Sequence, residues 1–388
     1  MNIGLFTDTY FPQLSGVATS IQTLKNALEK DGHSVFIFTT TDPHLGKGTI
    51  EPNIFRVSSV PFVSFTDRRI PVRGLFQATK IAKEVKLDIV HTQTEFGMGM
   101  IGKYVAHSLN IPTIHTYHTM YEDYLHYVLN GHLLKPYHVK QITKAYLHKM
   151  DGVVAPSERV RETLTRYGVT IPMRVIPTGV DLTAINENPH RDVRKELGIN
   201  KKDKIILTLS RVAAEKKIDQ ILDVLLAILE KEPDVKFVIA GDGPDVQPLK
   251  DQVSRLSLED YVIFAGSVEH SDVGNYYRMA DLFVSASDTE TQGLTYIEAL
   301  AAGTKSVVYS TDYTEHVFDN KKLGSTFTTK NEMKDEIIGY LKEKQFNIPE
   351  DLKEKKLSEV SAATFAHKIE KFYQDVIQNK QKTEVNYD

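Results

Sequence analysis

Short apolar runs of strand length recur along the chain, separated by stretches with helical spacing, and the series starts over near the middle. In the first half the runs are Asn2–Phe6, Ser34–Thr39, Ile89–His91, Thr113–His115, Gly152–Ala155 and Met173–Ile176, with Val17–Leu28 an amphipathic helix between the first two. In the second half they are Lys204–Ser210, Lys236–Ala240, Val262–Ala265, Leu282–Ser285 and Lys305–Val308. Helical runs at Ile218–Leu229, Val246–Leu256, Val273–Met279 and Tyr296–Ala302 separate those. Continuous apolar strands alternating with helices imply βαβ units and parallel sheets. The expected fold is therefore α/β, two Rossmann-like doubly wound domains facing each other across a cleft. A length of 388 residues fits two domains. The polar stretch Asp181–Arg194 carries the join, so the limits are set at 1–184 and 199–360, with 185–198 as linker. A helix over 361–378 and a flexible tail over 379–388 complete the chain. Ligands of open α/β sheets bind beyond the carboxyl ends of the strands.

Composition removes several classes of function. There is no cysteine, so disulfides and thiolate metal sites play no part. Met1–Pro12 lacks the basic start and long apolar core of a signal peptide. No run of about 18 apolar residues occurs, so no membrane span is expected. The net charge of −4 gives no reason to expect nucleic acid. That total hides an asymmetry. Residues 1–190 hold 19 Lys+Arg against 16 Asp+Glu and 11 of the 14 histidines, while the remainder holds 28 against 35. A basic first half suggests an anionic surface as partner.

Several motifs fall at predicted strand ends. Gly16 closes the loop from the first strand into the first helix, where a backbone can approach an anion at a helix start. The full G-x-G-x-x-G fingerprint is absent, which argues against a nicotinamide enzyme. Arg211 and Lys216 follow the strand Lys204–Ser210 and suit a diphosphate whose charge grows as it leaves. The run from Ser287 to Gly303 places Glu290 in a loop, Gly293 at a turn and Glu298 inside an apolar helix. A carboxylate in such a run needs a partner. The amides of Gln292, Gly293 and Leu294 would face a phosphate or a sugar hydroxyl. His115 and His118 follow a strand, a pattern that serves a ligand contact or a structural role equally well. Glu122 and Asp123 are the nearest carboxylates for a metal set.

With these residues in view, the chain resembles the retaining glycosyltransferases of the GT-B fold, glycosyltransferase family 4. Glu290 and Glu298 reproduce the family's Glu-x7-Glu motif, and Arg211 with Lys216 its diphosphate pair. Gly241-Asp-Gly-Pro244 and Ile176-Pro-Thr-Gly-Val-Asp181 match two of its turns. Gly303-Thr-Lys-Ser and Thr178 depart from its usual residues. The resemblance implies that Glu298 holds the ribose and that Glu290 and the amides after it hold the donor sugar. It implies that Arg211 and Lys216 bind the diphosphate with help from Gly16, and that His118 sits beside the transferring sugar. It places the uracil near Gly266–Val268 and has the helix over 361–378 cross back onto the first domain. It also implies a one-face reaction in which a leaving phosphate oxygen takes the acceptor proton, with no tightly bound cofactor and no metal. The first half is similar to a narrower group, the bacterial diacylglycerol glucosyltransferases, through Gly4–Ser20, His91–Phe96 and His115–Tyr124. Those enzymes use UDP-glucose to make α-monoglucosyldiacylglycerol, a glycolipid and lipoteichoic acid anchor precursor. UDP-galactose as donor, a glycosylated lipid or soluble acceptor, and a non-catalytic partner subunit are the alternatives.

A membrane-facing segment is expected from the residues as well. From Tyr124 to Met150 there is no acidic residue, while Lys135, Lys140, Lys144 and Lys149 interleave with aromatic and aliphatic side chains. That mixture suits an interfacial segment on anionic lipid. Arg68, Arg69 and Arg73, next to Phe62 and Phe65, would add a second contact. The expected location is the cytoplasmic face of the cell membrane, held peripherally.

Overall fold

The structure, a computed structural model, describes residues 1–13, 15–43, 45, 51–62, 65–72, 74–122, 135–180, 185, 191–290, 293–343 and 347–385, and of residues 62, 65–68, 270 and 383–385 the backbone only. It divides into two compact units, one made of Met1–Gly179 and Ala362–Asp388, the other of Val180–Ser361.

The first unit is built on β1 (Asn2–Phe6), β2 (Ser34–Thr40), β3 (Ile54–Val57), β6 (Ile89–Thr92), β7 (Thr113–Thr116), β8 (Gly152–Ala155) and β9 (Met173–Val175). They form one parallel sheet in the order β3-β2-β1-β6-β7-β8-β9. The order reverses between β1 and β6, so the loops after those strands diverge and leave a crevice. A separate antiparallel hairpin pairs β4 (Ser59–Phe62) with β5 (Phe65–Pro71). The helices are α1 (Gly16–Lys30), α2 (Leu75–Glu84), α3 (Gly97–Leu109), α4 (Pro136–Leu147) and α5 (Glu158–Arg166).

The second unit begins with α6 (Val193–Glu196). Its sheet contains β10 (Lys204–Leu209), β11 (Val235–Ala240), β12 (Val262–Gly266), β13 (Leu282–Ser285), β14 (Ser306–Tyr309) and β15 (Gly324–Phe327). The strands are parallel in the order β12-β11-β10-β13-β14-β15, with the reversal between β10 and β13. Helices α7 (Ile218–Leu229), α8 (Val246–Arg255), α9 (Val273–Met279), α10 (Leu294–Ala301), α11 (Asp312–Val317), α12 (Lys330–Leu341) and α13 (Glu350–Glu359) surround it.

Burial on both faces explains why these strands read as unbroken apolar runs. Successive residues point to opposite faces. Ile205 and Leu207 join one core with Val238 and Phe283, while Ile206 joins another with Phe237, Ile239 and Val284. The same split occurs in the first unit, where Ile3 and Leu5 lie in one core and Phe6 in another.

The last helix, α14 (Ala362–Val385), belongs to the first unit and lays Phe365, Ile369, Phe372 and Tyr373 into the core around Ile3 and Val35. Gly152 makes room for it, since a Cβ there would lie 2.5 Å from the Phe372 ring. The flexible tail expected from residue 379 is instead helical as far as Val385. Lys380, which donates to the Ile111 carbonyl at 2.9 Å, ties that end to the sheet. The departure at Gly303-Thr-Lys-Ser also has a local reason. Lys305 is buried over the Tyr340 ring, 5.3 Å from its centre, and is paired with Glu343.

Candidate active site

In the second unit the loops after β10 and β13, on either side of the sheet reversal, are bound to each other by charge. Lys216 pairs with Glu290, and Lys217 with Asp288. The Ser287 hydroxyl donates to the Glu215 carbonyl at 3.1 Å. The sequence marked Lys216 and Glu290 separately; the structure brings their side chains into contact. Lys217 and Asp288 form a second bridge that sequence reasoning missed, although each is adjacent to a marked motif. Both pairs are partly exposed, so their effect on stability is small. Their larger effect is to hold two loops in one arrangement.

Arg211 stands apart. Its side chain is exposed and forms no ion pair among the described residues. Its backbone is fixed by the Gly241-Asp-Gly-Pro244 turn. Val212 N–H donates to the Asp242 carbonyl at 2.9 Å, and Asp245 N–H donates to the Val212 carbonyl at 3.1 Å. Gly241 and Gly243 take φ of 136° and 158°, and a Cβ on them would lie 1.8 Å from Ser210 O and 2.2 Å from Val212 O. That contact explains the Gly-x-Gly-Pro pattern: it lets the turn pack directly on the backbone carrying Arg211. Gly241 N–H also reaches the Gly266 carbonyl at 2.7 Å. The strand ends of β10, β11 and β12 are thus stitched together. Gly266 is exposed with φ of 75°, and Val268, two residues on, is half-buried.

Glu298 lies in the second turn of α10, not at its start, and is 9% exposed. Its partner is Tyr277, whose hydroxyl donates to Glu298 Oε2 at 2.9 Å. Burial and the facing carboxylate push the Tyr277 hydroxyl well above its ordinary pKa, so it stays a donor. Gly293 precedes α10 with φ of 72°, and a Cβ there would lie 2.3 Å from the Tyr296 ring. Only glycine allows the chain to enter this helix at that angle. Leu294 opens the helix, and Gln292 lies outside the described residues.

In the first unit the loops after β1, β6 and β7 carry a largely buried hydrogen-bond network. Asp8 accepts from Met98 N–H at 2.8 Å and from the Thr94 hydroxyl at 2.6 Å, tying the β1 end to the start of α3. His91 spans Tyr373 of α14 and Thr116 of β7, at 2.7 Å each. His115 lies between the Thr92 hydroxyl at 2.9 Å and Glu95 at 3.1 Å, and Tyr121 donates to Glu95. His118 holds Gln93 through Nε2 at 2.8 Å. Burial, with His115 nearby, depresses its pKa to about 3, and burial depresses His91 as well. Both rings are neutral at physiological pH. His118 can accept or donate a hydrogen bond there, but it is too weakly basic to take a proton. Among the described residues no group of three or more His, Asp and Glu side chains is set to hold a metal ion, and Asp123 lies outside them.

Gly16 is the first residue of α1, capped by the Ser15 hydroxyl, which accepts from Ala18 N–H at 3.1 Å. No atom lies within 4 Å of the place a Gly16 Cβ would take. Its lack of a side chain is not demanded by packing in this unit.

The surface segment is described from Lys135 onward. Helix α4 buries Val139, Thr143, Tyr146 and Leu147 and exposes Tyr137 and Ile142. Lys135, Lys144 and Lys149 are exposed and Lys140 half-buried. Arg69 is turned onto the hairpin, donating to Ser59 Oγ and Ser59 O at 2.8 Å each. The side chain of Arg68, and Arg73 altogether, lie outside the described residues. No helix among the described residues is long and apolar enough to cross a membrane.

Residues 14–184 match the sequence pattern of Glycosyltransferase Family 4, and residues 190–359 that of glycosyl transferases group 1. The chain is 45% identical over 382 residues to an alpha-monoglucosyldiacylglycerol synthase of Streptococcus pneumoniae, covering 97% of this chain and 86% of that one. It is 32% identical over 352 residues to the Acholeplasma laidlawii protein of the same name, covering 87% of each. Among solved structures, sucrose-phosphate synthase from Thermosynechococcus elongatus superposes with a TM-score of 0.77 at 20% identity, over 97% of this chain and 99% of that one. Anabaena Alr3699/HepE in complex with UDP-glucose superposes with a TM-score of 0.73 at 16% identity, over 97% and 100%. These two likenesses bear out the expected class, an α/β chain of two Rossmann-like parallel-sheet domains of the GT-B kind.

Proposed function

The chain belongs to glycosyltransferase family 4 and is a hexosyltransferase; from that premise we propose that it moves glucose from UDP-glucose to the free hydroxyl of 1,2-diacylglycerol, releasing UDP. The product is α-monoglucosyldiacylglycerol. The observation that carries this reading is the extent of likeness to the pneumococcal synthase, which runs through both units.

The chemistry follows from the residues. The bond from the anomeric carbon to the UDP oxygen breaks, and a bond to the acceptor oxygen forms on the same face. The acceptor proton passes to the leaving phosphate oxygen. Arg211, exposed on its braced loop, and Lys216 neutralise the diphosphate as its charge grows. Glu290 and the start of α10 hold the sugar, with Gln292, Gly293 and Leu294 offering amides. Glu298, steadied by Tyr277, accepts from the ribose hydroxyls. Gly16 gives the diphosphate room, and Gly266 and Val268 lie against the uracil. His118 binds a sugar hydroxyl as a neutral ring. Two side-chain cations do the work a metal would do, so the reaction needs none.

The acceptor is a lipid, and the first unit suits a lipid surface. Nine of the ten exposed large hydrophobic residues among those described belong to it, with Phe76 84% exposed on α2. Exposed apolar side chains beside lysines favour an anionic interface. Each lysine of Lys135, Lys140, Lys144 and Lys149 contributes about 1 kcal/mol near such a surface. The protein accordingly works as a peripheral enzyme on the cytoplasmic face of the membrane.

The test is a donor and acceptor screen. Purified protein receives labelled UDP-glucose or UDP-galactose with diacylglycerol in vesicles, with and without anionic lipid, and with a chelator in parallel. Glucolipid in the lipid phase, unaffected by the chelator and faster on anionic vesicles, is the expected outcome. Transfer only to a soluble acceptor would overturn the lipid assignment.

A further inference from the structure

His118 is met inside the protein by Gln93, a residue within the stretch His91–Phe96. Gln93, just past the end of β6, is 3% exposed. Its Oε1 faces His118 Nε2 at 2.8 Å, while its own Nε2 is buried without a hydrogen-bond partner among the described residues. A carbonyl oxygen only accepts, so with the amide turned this way His118 Nε2 carries the hydrogen. Nδ1 is left as a bare acceptor, and it makes no hydrogen bond to any described residue. Leaving an amide donor buried and unmatched is costly, and a glutamine needed only for packing would be replaced without loss by an apolar side chain.

We propose that Gln93 is the positioning residue for His118, holding the ring as the Nε2–H tautomer so that Nδ1 accepts a hydroxyl hydrogen from the substrate. This rests on the reading that His118 lies against the donor sugar. The consequence is a site that prefers a hydroxyl group turned to donate, and that rejects a donor sugar lacking that hydroxyl. Other titratable groups around the ring are His115 on β7, His91 on β6 and Glu95 in the loop after β6. The first two lie among the buried polar groups, and Glu95 is already engaged by His115 and Tyr121.

The wild-type protein without substrate, labelled with 15N at histidine, tests the tautomer directly by its ring nitrogen shifts. A protonated Nε2 and a bare Nδ1 at His118 are expected; a protonated Nδ1 would overturn the assignment. Two variants carry it to catalysis. Gln93→Leu should mix the tautomers and lower kcat about tenfold, the worth of one hydrogen bond, with little change in KM for diacylglycerol. Gln93→Glu can only accept, so it should keep the tautomer and most of kcat at high pH. It should then lose activity as pH falls, because the new carboxylate favours a charged His118 with no acceptor left. A Gln93→Glu enzyme as impaired as Gln93→Leu at high pH would sink the proposal. If His118→Ala leaves kcat unchanged, the site reading itself fails, whatever the tautomer proves to be.

Discussion

The two units share an architecture and differ in how their strand-end loops are held. In the second, the loops after β10 and β13 are locked by charged pairs, Lys216 with Glu290 and Lys217 with Asp288. In the first, the loops after β6 and β7 are joined by hydrogen bonds, His115 to Glu95 and His118 to Gln93, with His91 and His118 kept uncharged by burial. The outer surfaces differ too. The first unit exposes Phe76, Tyr137 and Ile142 among others, while the second exposes only Leu226 of the large hydrophobics described. One fold thus supports strand-end loops held by ion pairs in one unit and by hydrogen bonds with uncharged imidazoles in the other. The difference is made in loops and exposed positions, which a parallel sheet leaves free to vary.

Breaking the charged side of this contrast should have the largest effect. Lys216→Ala and Glu290→Ala are each expected to lower kcat about 10²–10³-fold, the range seen when one charge-stabilising group is removed. Steady-state transfer from UDP-glucose measures it, and unchanged activity in both variants would place the site elsewhere.

The neutral side is tested by acid. Unfolded histidine titrates near 6.5, while folded His118 titrates at about 3 and His91 also below the ordinary value. Below pH 6.5 the unfolded chain binds protons that the folded rings refuse. The contribution is complete above pH 6.5 and is lost as pH falls, for His118 toward 3 by roughly 1.4 kcal/mol per unit, with His91 acting in the same direction. Hydrogen exchange at pH 7 and pH 5 should show protection falling in β6 and β7 more than in β10 and β13. Equal loss in both sheets would contradict the contrast.

Gly293→Ala sharpens the comparison by strain instead of charge. The substitution forces φ of 72° on alanine against the Tyr296 ring, at a cost of about 1–3 kcal/mol. A lower melting temperature with a raised KM for the nucleotide sugar is expected. Gly16→Ala, with nothing within 4 Å, should melt like the parent protein, so any lost activity there reports a ligand and not the fold.

The smallest single-residue effects belong to the surface. Replacing Lys135, Lys140, Lys144 and Lys149 by alanine should weaken binding to anionic vesicles by about 1 kcal/mol each at low salt, less as salt is raised. Flotation with vesicles measures this, and transfer to a water-soluble diacylglycerol analogue should be unaffected.

Most of the sheet was legible because its strands are buried on both faces and therefore written in unbroken apolar residues. Leu282–Ser285, Ile218–Leu229 and Val273–Met279 fall where the pattern puts them. What escaped lies at edges. Strand β15 reads Gly-Ser-Thr-Phe and pairs on one side only, to β14. Strand β3 and the β4–β5 hairpin are similarly peripheral, with mixed residues. Helix α13 is mostly charged and buries little. Within the site, Lys216, Glu290 and Glu298 stood out through motif and spacing. Asp288 and Gln93 lay inside stretches marked as motifs and Tyr277 outside them, but none was singled out, because each matters through a partner elsewhere in the chain.

The sequence by itself determined the two-part α/β plan, the family and the acids and cations of the site, since apolar periodicity and motif spacing are local properties. The return of the last helix to the first unit was already implied by the family resemblance. Only the tertiary structure decided that Lys216 meets Glu290 across 74 positions. It alone decided that His118 rests on Gln93 and is kept neutral. Contact partners and burial depend on which strand ends the sheet order brings together, and that order is settled by packing the whole chain.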